Sequence, residues 1–454
     1  MNRKKLFDID KHNLLFHNKA LFALLIPIVI EQLLNSFMGM VDTMMVSNLG
    51  SQAISGVSLV DSVNNLIVQL FSAMATGAAI ICSHYIGMRN KDGANKAARQ
   101  VVLTVMVISL AITILGLIFR KPLLALIFGH VEQEVMDNAV DYFLFTALSY
   151  PFLALFSAGS AIFRSCGNSR YPMIVSVVSN VFNIGGNALL MFVFKLGVSG
   201  AAISTLVSRV FCMVVIFIAL SKPKLDIVVK DYAAIRPDFG LIKSILAIGV
   251  PSGIENSMFQ FGKLAIQSTV STLGTAAIAA QAMTNILENV NGIFGIGVGM
   301  CLMTVVGQTL GAGRKEEAKY YIVKLAGIAE LGIIASCLLV YAFAGPITRL
   351  GGMETDSARM CIEMVGAITI VKPLVWVLSF VPAYGMRAAG DVKFSMITSI
   401  ITMWGCRVAL SIALIRIFGM GPIGVWYGMF ADWTIRGIIF TTRFFSGRWV
   451  KKVI

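Results

Sequence analysis

The two halves of this chain are repeats of each other, offset by 224 residues. Asp42, an acid inside an apolar segment, has Ile266 as its counterpart and marks a point where the halves diverge. The halves are therefore expected to form the same set of elements, with the chemistry differing at such positions. Residues of several types keep the register: Pro27 and Pro251, Glu31 and Glu255, Asn65 and Asn289, Gly87 and Gly311, Lys91 and Lys315, Gly197 and Gly421, Gly200 and Gly424.

The composition places the chain in a membrane. Of its 454 residues, 57% are apolar and 13% charged, and the mean hydropathy is +0.82. Each apolar stretch is long enough to cross a hydrocarbon core of roughly 30 Å as a helix, and none alternates as barrel strands do. The sequence predicts an all-α integral membrane protein with twelve spans, near 20–47, 55–86, 99–119, 137–162, 171–194, 197–220, 242–271, 276–308, 319–345, 356–386, 394–418 and 422–446.

The net charge of +14 is interpreted as an orientation signal and not as a sign of a nucleic-acid partner. With a cytoplasmic N-terminus, most of the 37 basic residues fall in inner segments and few in outer ones. The positive-inside rule then places both termini in the cytoplasm of a plasma (inner) membrane protein.

Six spans in each half predict two six-helix bundles that are parallel repeats, with a cavity between them that opens to either face. The predicted domains are a cytoplasmic N-terminal arm (1–20), an N-lobe (21–220), a cytoplasmic linker (221–240), a C-lobe (241–446) and a cytoplasmic tail (447–454). The seven cysteines show no paired spacing and are interpreted as packing residues.

Asp42 is the strongest functional candidate, since a charged side chain at a helix centre costs about 2.5–3.5 kcal/mol on insertion scales. The fifth span brings Asn180, Asn183 and Asn187 to the same depth, and the sixth brings Thr205. Asn183 and Asn187 are four residues apart, so they share a helix face. Such oxygens suit Na⁺, and a buried carboxylate can instead carry a proton. The alternative is a hydrogen-bond cluster that only joins three spans.

Other polar residues of the spans are expected to line the substrate cavity. Lys372 is unusual there, because a cation at this depth repels organic cations unless a carboxylate neutralises it. Glu255 and Glu288 are the available partners within the same lobe, and we hypothesise that Lys372 pairs with Glu255, in a pocket for zwitterionic or anionic compounds or in a proton-coupled switch. A structural ion pair, or a lysine at the border of an aqueous cavity, is the alternative. The cavity candidates are Glu31, Asp61, Asn65, Glu255, Gln260, Glu288 and Lys372.

Three further charged positions are less informative: Arg209, Asp432 and Arg407, of which Arg407 is expected to be structural. Arg209 is expected to interact with cytoplasmic carboxylates or lipid. Asp432 is expected to pair with Arg436, one turn away, or with Arg407.

Several segments resemble the multidrug and toxin extrusion (MATE) transporters of the larger flippase-like exporter superfamily. They match that family in order, spacing and repeat position from about residue 20 to 445. The segments are Val41-Asp-Thr-Met-Met-Val-Ser-Asn-Leu-Gly50, Gly197-Val-Ser-Gly-Ala-Ala-Ile-Ser-Thr205, Val306-Gly-Gln-Thr-Leu-Gly-Ala-Gly313, Arg387-Ala-Ala-Gly-Asp391 and Trp404-Gly-Cys-Arg407.

The resemblance implies a V-shaped, two-lobe fold of twelve helices that exports amphipathic, often cationic, compounds in exchange for Na⁺ or H⁺. The ion site of one branch of the family corresponds to Asp42, Asn183, Asn187 and Thr205. Many members have an aspartate where this chain has Asn187. The loss of one carboxylate favours a proton on Asp42 or a weaker Na⁺ site. The acid that the NorM-like branch places in span 10 is not evident either.

The expected function is cation-coupled export of amphipathic cationic drugs or metabolites by a monomer, with alternating access and no cofactor beyond the coupling ion. A lipid-linked precursor flippase of the same superfamily remains an alternative, although a strongly basic cavity is not obvious. A membrane enzyme would need a catalytic set, and the sequence has no HExxH, GxSxG or phosphate-loop motif. A purely structural membrane protein would leave the intramembrane acid and amides unexplained.

Overall fold

The computed structural model describes residues 13–129, 132–223, 225–230 and 235–450, and within these residues every regular element is a helix. The predicted N-terminal arm, linker and tail lie partly outside the described residues, so their boundaries stay predictions. The first half contains α1 (Asn18–Ser47), α2 (Ser51–Gly87), α3 (Lys91–Ile118), α4 (Arg120–Phe128), α5 (Gln133–Leu148), α6 (Tyr150–Ser165), α7 (Arg170–Asn187) and α8 (Gly197–Leu220).

In the first half, a π-helical segment, Ala188–Val193, continues α7. In the second half, a π-helical segment, Met403–Leu410, joins the helix that ends at Thr402 to the helix that begins at Ser411. The helices are α9 (Phe239–Val270), α10 (Thr275–Gly311), α11 (Lys315–Leu350), α12 (Thr355–Ala388), α13 (Val392–Thr402), α14 (Ser411–Arg416) and α15 (Ile423–Ser446).

The repeat predicted from the sequence is present in the backbone. Helices α2 and α10 both have 37 residues, and each begins after a glycine. Gly50 has φ 109° and ψ 170°, and Gly274 has φ 95° and ψ 170°. A side chain would strain this left-handed conformation, so both halves keep glycine at the same turn.

The helices agree with the predicted spans. In the described part of the chain, nine helices are long and apolar enough to cross a membrane, and the α5–α6 pair, bent by 43°, gives a tenth. The two remaining predicted spans coincide with α9 and α15, which carry charged residues along their length, among them Lys263 in α9 and Arg436 in α15. The chain is therefore a multi-pass membrane protein.

The chain divides into two compact units, one of residues 22–253 and one of residues 254–454 with the N-terminal residues up to Leu21. The predicted linker 221–240 stays a prediction, and the division falls inside α9. The reason is a close approach of the first part of α9 to α2. A Cβ atom on Gly77 would lie 2.9 Å from the carbonyl oxygen of Ile245, so only glycine permits this contact.

Each unit has its own packing core. In the first, α2 packs against α3, α5 and α6, and α8 packs against α5, α6 and α7. In the second, α10, α11 and α12 pack against one another, and α15 packs against α12. Most of the polar side chains described below lie on these packed helices, and others lie on α1 and α9.

Candidate functional site

In the first unit, α1, α7 and α8 bring four polar side chains together. Ser204 of α8 approaches Gly186 of α7 so closely that a Cβ atom on Gly186 would collide with the Ser204 hydroxyl. The same hydroxyl donates to the backbone carbonyl of Asn183 at 2.9 Å. This contact holds α7 and α8 in register, so that the amides of α7 face Asp42 of α1.

Asp42 Oδ1 accepts two hydrogen bonds from these amides. Asn187 Nδ2 donates to it at 2.8 Å. We orient the Asn183 amide with its nitrogen towards Asp42, which gives a second bond of 3.0 Å. The Asn183 oxygen then accepts from Thr205 Oγ1 at 3.3 Å and from the Thr205 backbone N–H at 3.2 Å. The structure thus brings together Asp42, Asn183, Asn187 and Thr205, four of the five residues grouped from the sequence.

Both bonds reach the same oxygen, Oδ1, which can accept them whether or not the other oxygen carries a proton. Asp42 Oδ2 makes no hydrogen bond to any described residue. Asn187 is 1% exposed, and its Oδ1 likewise has no partner among the described residues. Two oxygens of the group are therefore available for an incoming proton or monovalent cation, with rotation of an amide supplying further oxygens.

A second polar group lies next to Asp42. Asp61 Oδ1 accepts from Asn64 Nδ2 at 3.3 Å, and Asn64 Oδ1 accepts from Tyr150 Oη at 2.6 Å. Arg209 Nη1 donates to Ser149 Oγ at 2.6 Å and interacts electrostatically with both aspartates.

The expectation that Arg209 interacts with cytoplasmic carboxylates or lipid is wrong. Arg209 lies on the face of α8 that packs against the bend between α5 and α6, so it points into the helix bundle. Among the described residues it is the one cation that interacts with Asp42 and Asp61, which leaves this group with one net negative charge when both carboxyls are ionised. An arginine inside an apolar span was the signal that could have assigned it to the site.

Three of the residues proposed from the sequence stand apart from these groups. Asn180 Nδ2 is buried without a hydrogen-bond partner in the described part of the chain, so Asn180 forms no N–H hydrogen bond to Asp42. Asn65 is exposed and Gln260 half-buried, and neither has a hydrogen bond to a described residue. Their proposed roles stay predictions.

Glu31 and Glu255, which are repeat equivalents, form equivalent ion pairs. Arg164 Nη2 lies 2.7 Å from both Glu31 oxygens, and Arg387 Nη2 lies 2.6 Å from Glu255 Oε1. Both glutamates are almost fully buried. Each pair ties the first helix of its half to the end of α6 or α12.

The pairing hypothesised between Lys372 and Glu255 is wrong. Lys372 Nζ lies 2.7 Å from Glu288 Oε1 and also donates to Asn291 Oδ1. Arg387, the partner of Glu255, is 15 residues beyond Lys372 in α12, or about 22 Å at 1.5 Å per residue. Glu255 therefore lies at a different depth from Lys372.

Further charges of the second unit lie near this pair. Asp432 is fully buried between two arginines, with Arg436 Nη2 at 2.7 Å and Arg407 Nη2 at 3.1 Å, so both expected pairings are present. Lys263 of α9 interacts electrostatically with Glu288 and with Arg407.

The comparisons with known proteins agree with this architecture. The sequence profile of the MatE family matches residues 27–189 and 251–413, once in each half. The uncharacterized transporter YisQ of Bacillus subtilis is 28% identical over 439 residues, covering 95% of both chains. The probable multidrug resistance protein NorM of Thermotoga maritima is 25% identical over 454 residues, covering 96% of this chain and 94% of NorM. A crystal structure of MATE in complex with MaL6 aligns with a TM-score of 0.89 at 19% identity, over 99% of this chain and 100% of that one.

Proposed function

This chain belongs to the MatE family of transporters, and on that premise we propose that it is a cation-coupled antiporter that exports amphipathic organic compounds by alternating access. The monovalent cation, H⁺ or Na⁺, binds Asp42. The protein acts as a transporter and not as an enzyme, in the cell membrane and with both termini in the cytoplasm.

The observation that carries the proposal is the state of Asp42. Its carboxylate lies inside an apolar helix, accepts two amide N–H groups on one oxygen and has the other oxygen open among the described residues. A coupling ion can drive a conformational change only if it binds one state more tightly than another. A proton or Na⁺ on the open oxygen Oδ2 neutralises the negative charge to which the amide N–H groups of Asn183 and Asn187 donate. Ion binding is thereby linked to the packing of α1 on α7.

Between the two ions, the donor set supports H⁺ or a weak Na⁺ site. A single carboxylate is present, because position 187 is an asparagine, and Thr205 and the amides supply only neutral oxygens. The histidine, cysteine and acidic side chains of the described residues form no group of three suited to a metal ion.

The test is flux in liposomes under an imposed proton gradient and, separately, an imposed Na⁺ gradient. Wild type is compared with Asp42→Asn and with Asp137→Asn, which removes an exposed acid of α5 in the same unit. We expect one gradient to drive dye efflux, with the drive lost in Asp42→Asn and kept in Asp137→Asn. Equal drive in all three proteins would reject Asp42 as the coupling residue, and no drive by either gradient would reject antiport.

A lipid-linked precursor flippase is the second candidate, and the charge of the second unit favours it. Lys263, Lys372, Arg407 and Arg436 form a basic group there, which the sequence did not make obvious. The same charges weigh against the expectation of a cationic substrate, so the flux test uses the anionic dye fluorescein beside the cationic dye rhodamine 6G.

A further inference from the structure

The C-terminal unit holds an excess of positive charge, which we call the C-lobe basic group: Lys263, Glu288, Lys372, Arg407, Asp432 and Arg436. Each of its two acids interacts with two cations. Glu288 binds Lys372 and interacts with Lys263. Asp432 binds Arg407 and Arg436. Four cations against two acids leave two net positive charges, and Glu330 of α11 makes no hydrogen bond or ion pair to any described residue that would offset them.

Lys263 is the member that is open to a ligand. Its side chain is exposed, and in the described part of the chain it has neither a hydrogen bond nor an ion pair. Phe259 lies four residues earlier in α9 and therefore on the same helix face. The guanidinium groups of Arg407 and Arg436 lie 5.6 and 4.9 Å from the Phe259 ring centroid. A cation and an aromatic ring thus lie side by side at the basic group.

Unsatisfied hydrogen-bond donors point to the same chemistry. Arg407 Nε and Trp433 Nε1 are buried without an acceptor among the described residues, in side chains that are 5% and 1% exposed. Trp433 belongs to the same cluster, because Lys372 Nζ lies 5.9 Å from its ring centroid. A buried donor without an acceptor is costly. Both unsatisfied groups are N–H donors, which an anionic acceptor would satisfy.

The excess charge is expensive in a membrane protein, where unpaired cations at bilayer depth are rare and mark substrate or ion pathways. A purely structural network would be expected to neutralise its own cations. A cationic ligand would meet repulsion here, whereas an anionic group would neutralise the excess.

We propose that the C-lobe basic group binds the anionic group of an amphipathic substrate, with Lys263 as its direct ligand and Arg407 behind it. The proposal rests on the proposed function in that the bound molecule is the exported one. An ionised carboxylate, sulfonate or phosphate forms charge-assisted bonds with lysine and arginine. Phe259 supplies an apolar contact beside the charge, so the ligand carries an anion next to a hydrophobic body.

The experiment is equilibrium binding of fluorescein to the purified full-length protein in phosphatidylcholine nanodiscs, followed by fluorescence polarisation. Fluorescein is an anionic xanthene at slightly alkaline pH, and rhodamine 6G is a cationic xanthene of similar size. The variants are Lys263→Gln, the charge-conserving Lys263→Arg, and Lys243→Gln as a matched control, since Lys243 is another exposed lysine of α9. Lys263 makes no hydrogen bond or ion pair to a described residue that its replacement would break, so these variants are expected to fold.

We expect Lys263→Gln to weaken fluorescein binding roughly ten-fold or more, the effect of one charge-assisted bond. Lys263→Arg and Lys243→Gln should bind as wild type does, and rhodamine 6G should bind no more weakly to Lys263→Gln than to wild type. The proposal is overturned if wild type does not bind fluorescein saturably, or if Lys263→Gln binds it equally well.

Nanodiscs that contain phosphatidylglycerol distinguish the source of the anion. Displacement of fluorescein by this lipid supports the site with a lipid headgroup as ligand, and undiminished binding supports it with a soluble anion. Binding is measured without any gradient, so its result is independent of the result of gradient-driven efflux. Efflux without Lys263-dependent binding retains the proposed function and rejects this site, and the reverse result retains the site and rejects antiport.

Discussion

Lys372 Nζ lies 2.7 Å from Glu288 Oε1, at the place where the first half has Tyr150 Oη 2.6 Å from Asn64 Oδ1. Tyr150 and Lys372 each precede a proline in their half, and Asn64 and Glu288 are separated by the repeat offset of 224. One fold therefore accepts a neutral pair in one copy and a charged pair in the other. The repeat places a polar pair at this position in both halves, and the residue types decide whether the pair is neutral or charged.

The first prediction concerns this pair. Lys372→Met should lower the free energy of unfolding by roughly 3–5 kcal/mol, because it leaves the Glu288 carboxylate without its nearest cation. The double variant Lys372→Tyr with Glu288→Asn, which copies the pair of the first half, should be more stable than Lys372→Met. Thermal unfolding in detergent gives the comparison. Equal midpoints for the two variants would contradict it.

The second prediction concerns Glu31 and Arg164. Glu31→Gln should destabilise the protein, by up to roughly 3–5 kcal/mol, since it breaks a pair in which the glutamate is 3% exposed. Adding Arg164→Gln should cost less than the sum of the two single changes, because the second change removes the charge left unpaired by the first. The unfolding midpoints of wild type, the two single variants and the double variant give a double-mutant cycle. Strictly additive effects would show that the pair contributes no coupling.

The third prediction concerns the coupling ion. Asn187→Asp adds a second carboxylate beside Asp42 and should strengthen Na⁺ binding, which is measured as a larger rise of the unfolding midpoint on addition of Na⁺. Asn180→Asp is the matched control, because it adds the same charge to α7 outside the hydrogen-bonded group. The same Na⁺ response in both variants would indicate a general charge effect and not a site.

The fourth prediction concerns the N-terminal residues that lie on α11. Tyr321 Oη accepts from the Phe16 N–H at 2.7 Å and lies 2.9 Å from the Phe16 carbonyl. Removal of this hydroxyl in Tyr321→Phe should cost about 1–3 kcal/mol, because it leaves buried backbone groups unpaired. Tyr320→Phe removes a neighbouring hydroxyl without this contact and serves as the control. Equal unfolding midpoints for the two variants would contradict the assignment.

The fifth prediction is a pH dependence outside the membrane. Lys96 Nζ lies 2.6 Å from Asp238 Oδ2, and Asp238 Oδ1 accepts from the backbone N–H groups of Gly240 and Leu241 at the start of α9. The hydrogen bond from Lys96, followed by that from the Leu241 N–H, lowers the pKa of Asp238 below its usual range. The hydrogen bond to Asp238 raises the pKa of Lys96.

A depressed carboxyl pKa stabilises the fold at neutral pH, and this contribution is lost as the pH falls through the folded-state pKa, below about pH 4. The contribution of Lys96 is lost at the other end, as the pH rises above about 10. The unfolding midpoints of wild type and Asp238→Asn should therefore differ at neutral pH and converge in acid. A difference that persists unchanged in acid would contradict this assignment.

Much of the Asp42 group could be predicted from the chain alone. The four-residue spacing of Asn183 and Asn187 places both amides on one helix face, and an acid within an apolar span is rare enough to single out. Arg209 could not be placed in this way, because its direction depends on the rotation of α8 against the bend at Ser149. The same limit explains the wrong partner for Lys372. Glu255 and Glu288 were both candidates in the same lobe, and the sequence did not show which of them lies at the depth of Lys372.

The sequence by itself determined the repeat, the twelve spans, the family and the position of Asp42, because these depend on register, apolar length and residue type along one dimension. The tertiary structure alone decided which charges meet. Ion pairing depends on the rotation and depth of each helix within its bundle, so only the folded chain shows that Glu255 binds Arg387, that Glu288 binds Lys372, and that Lys263 has no partner among the described residues.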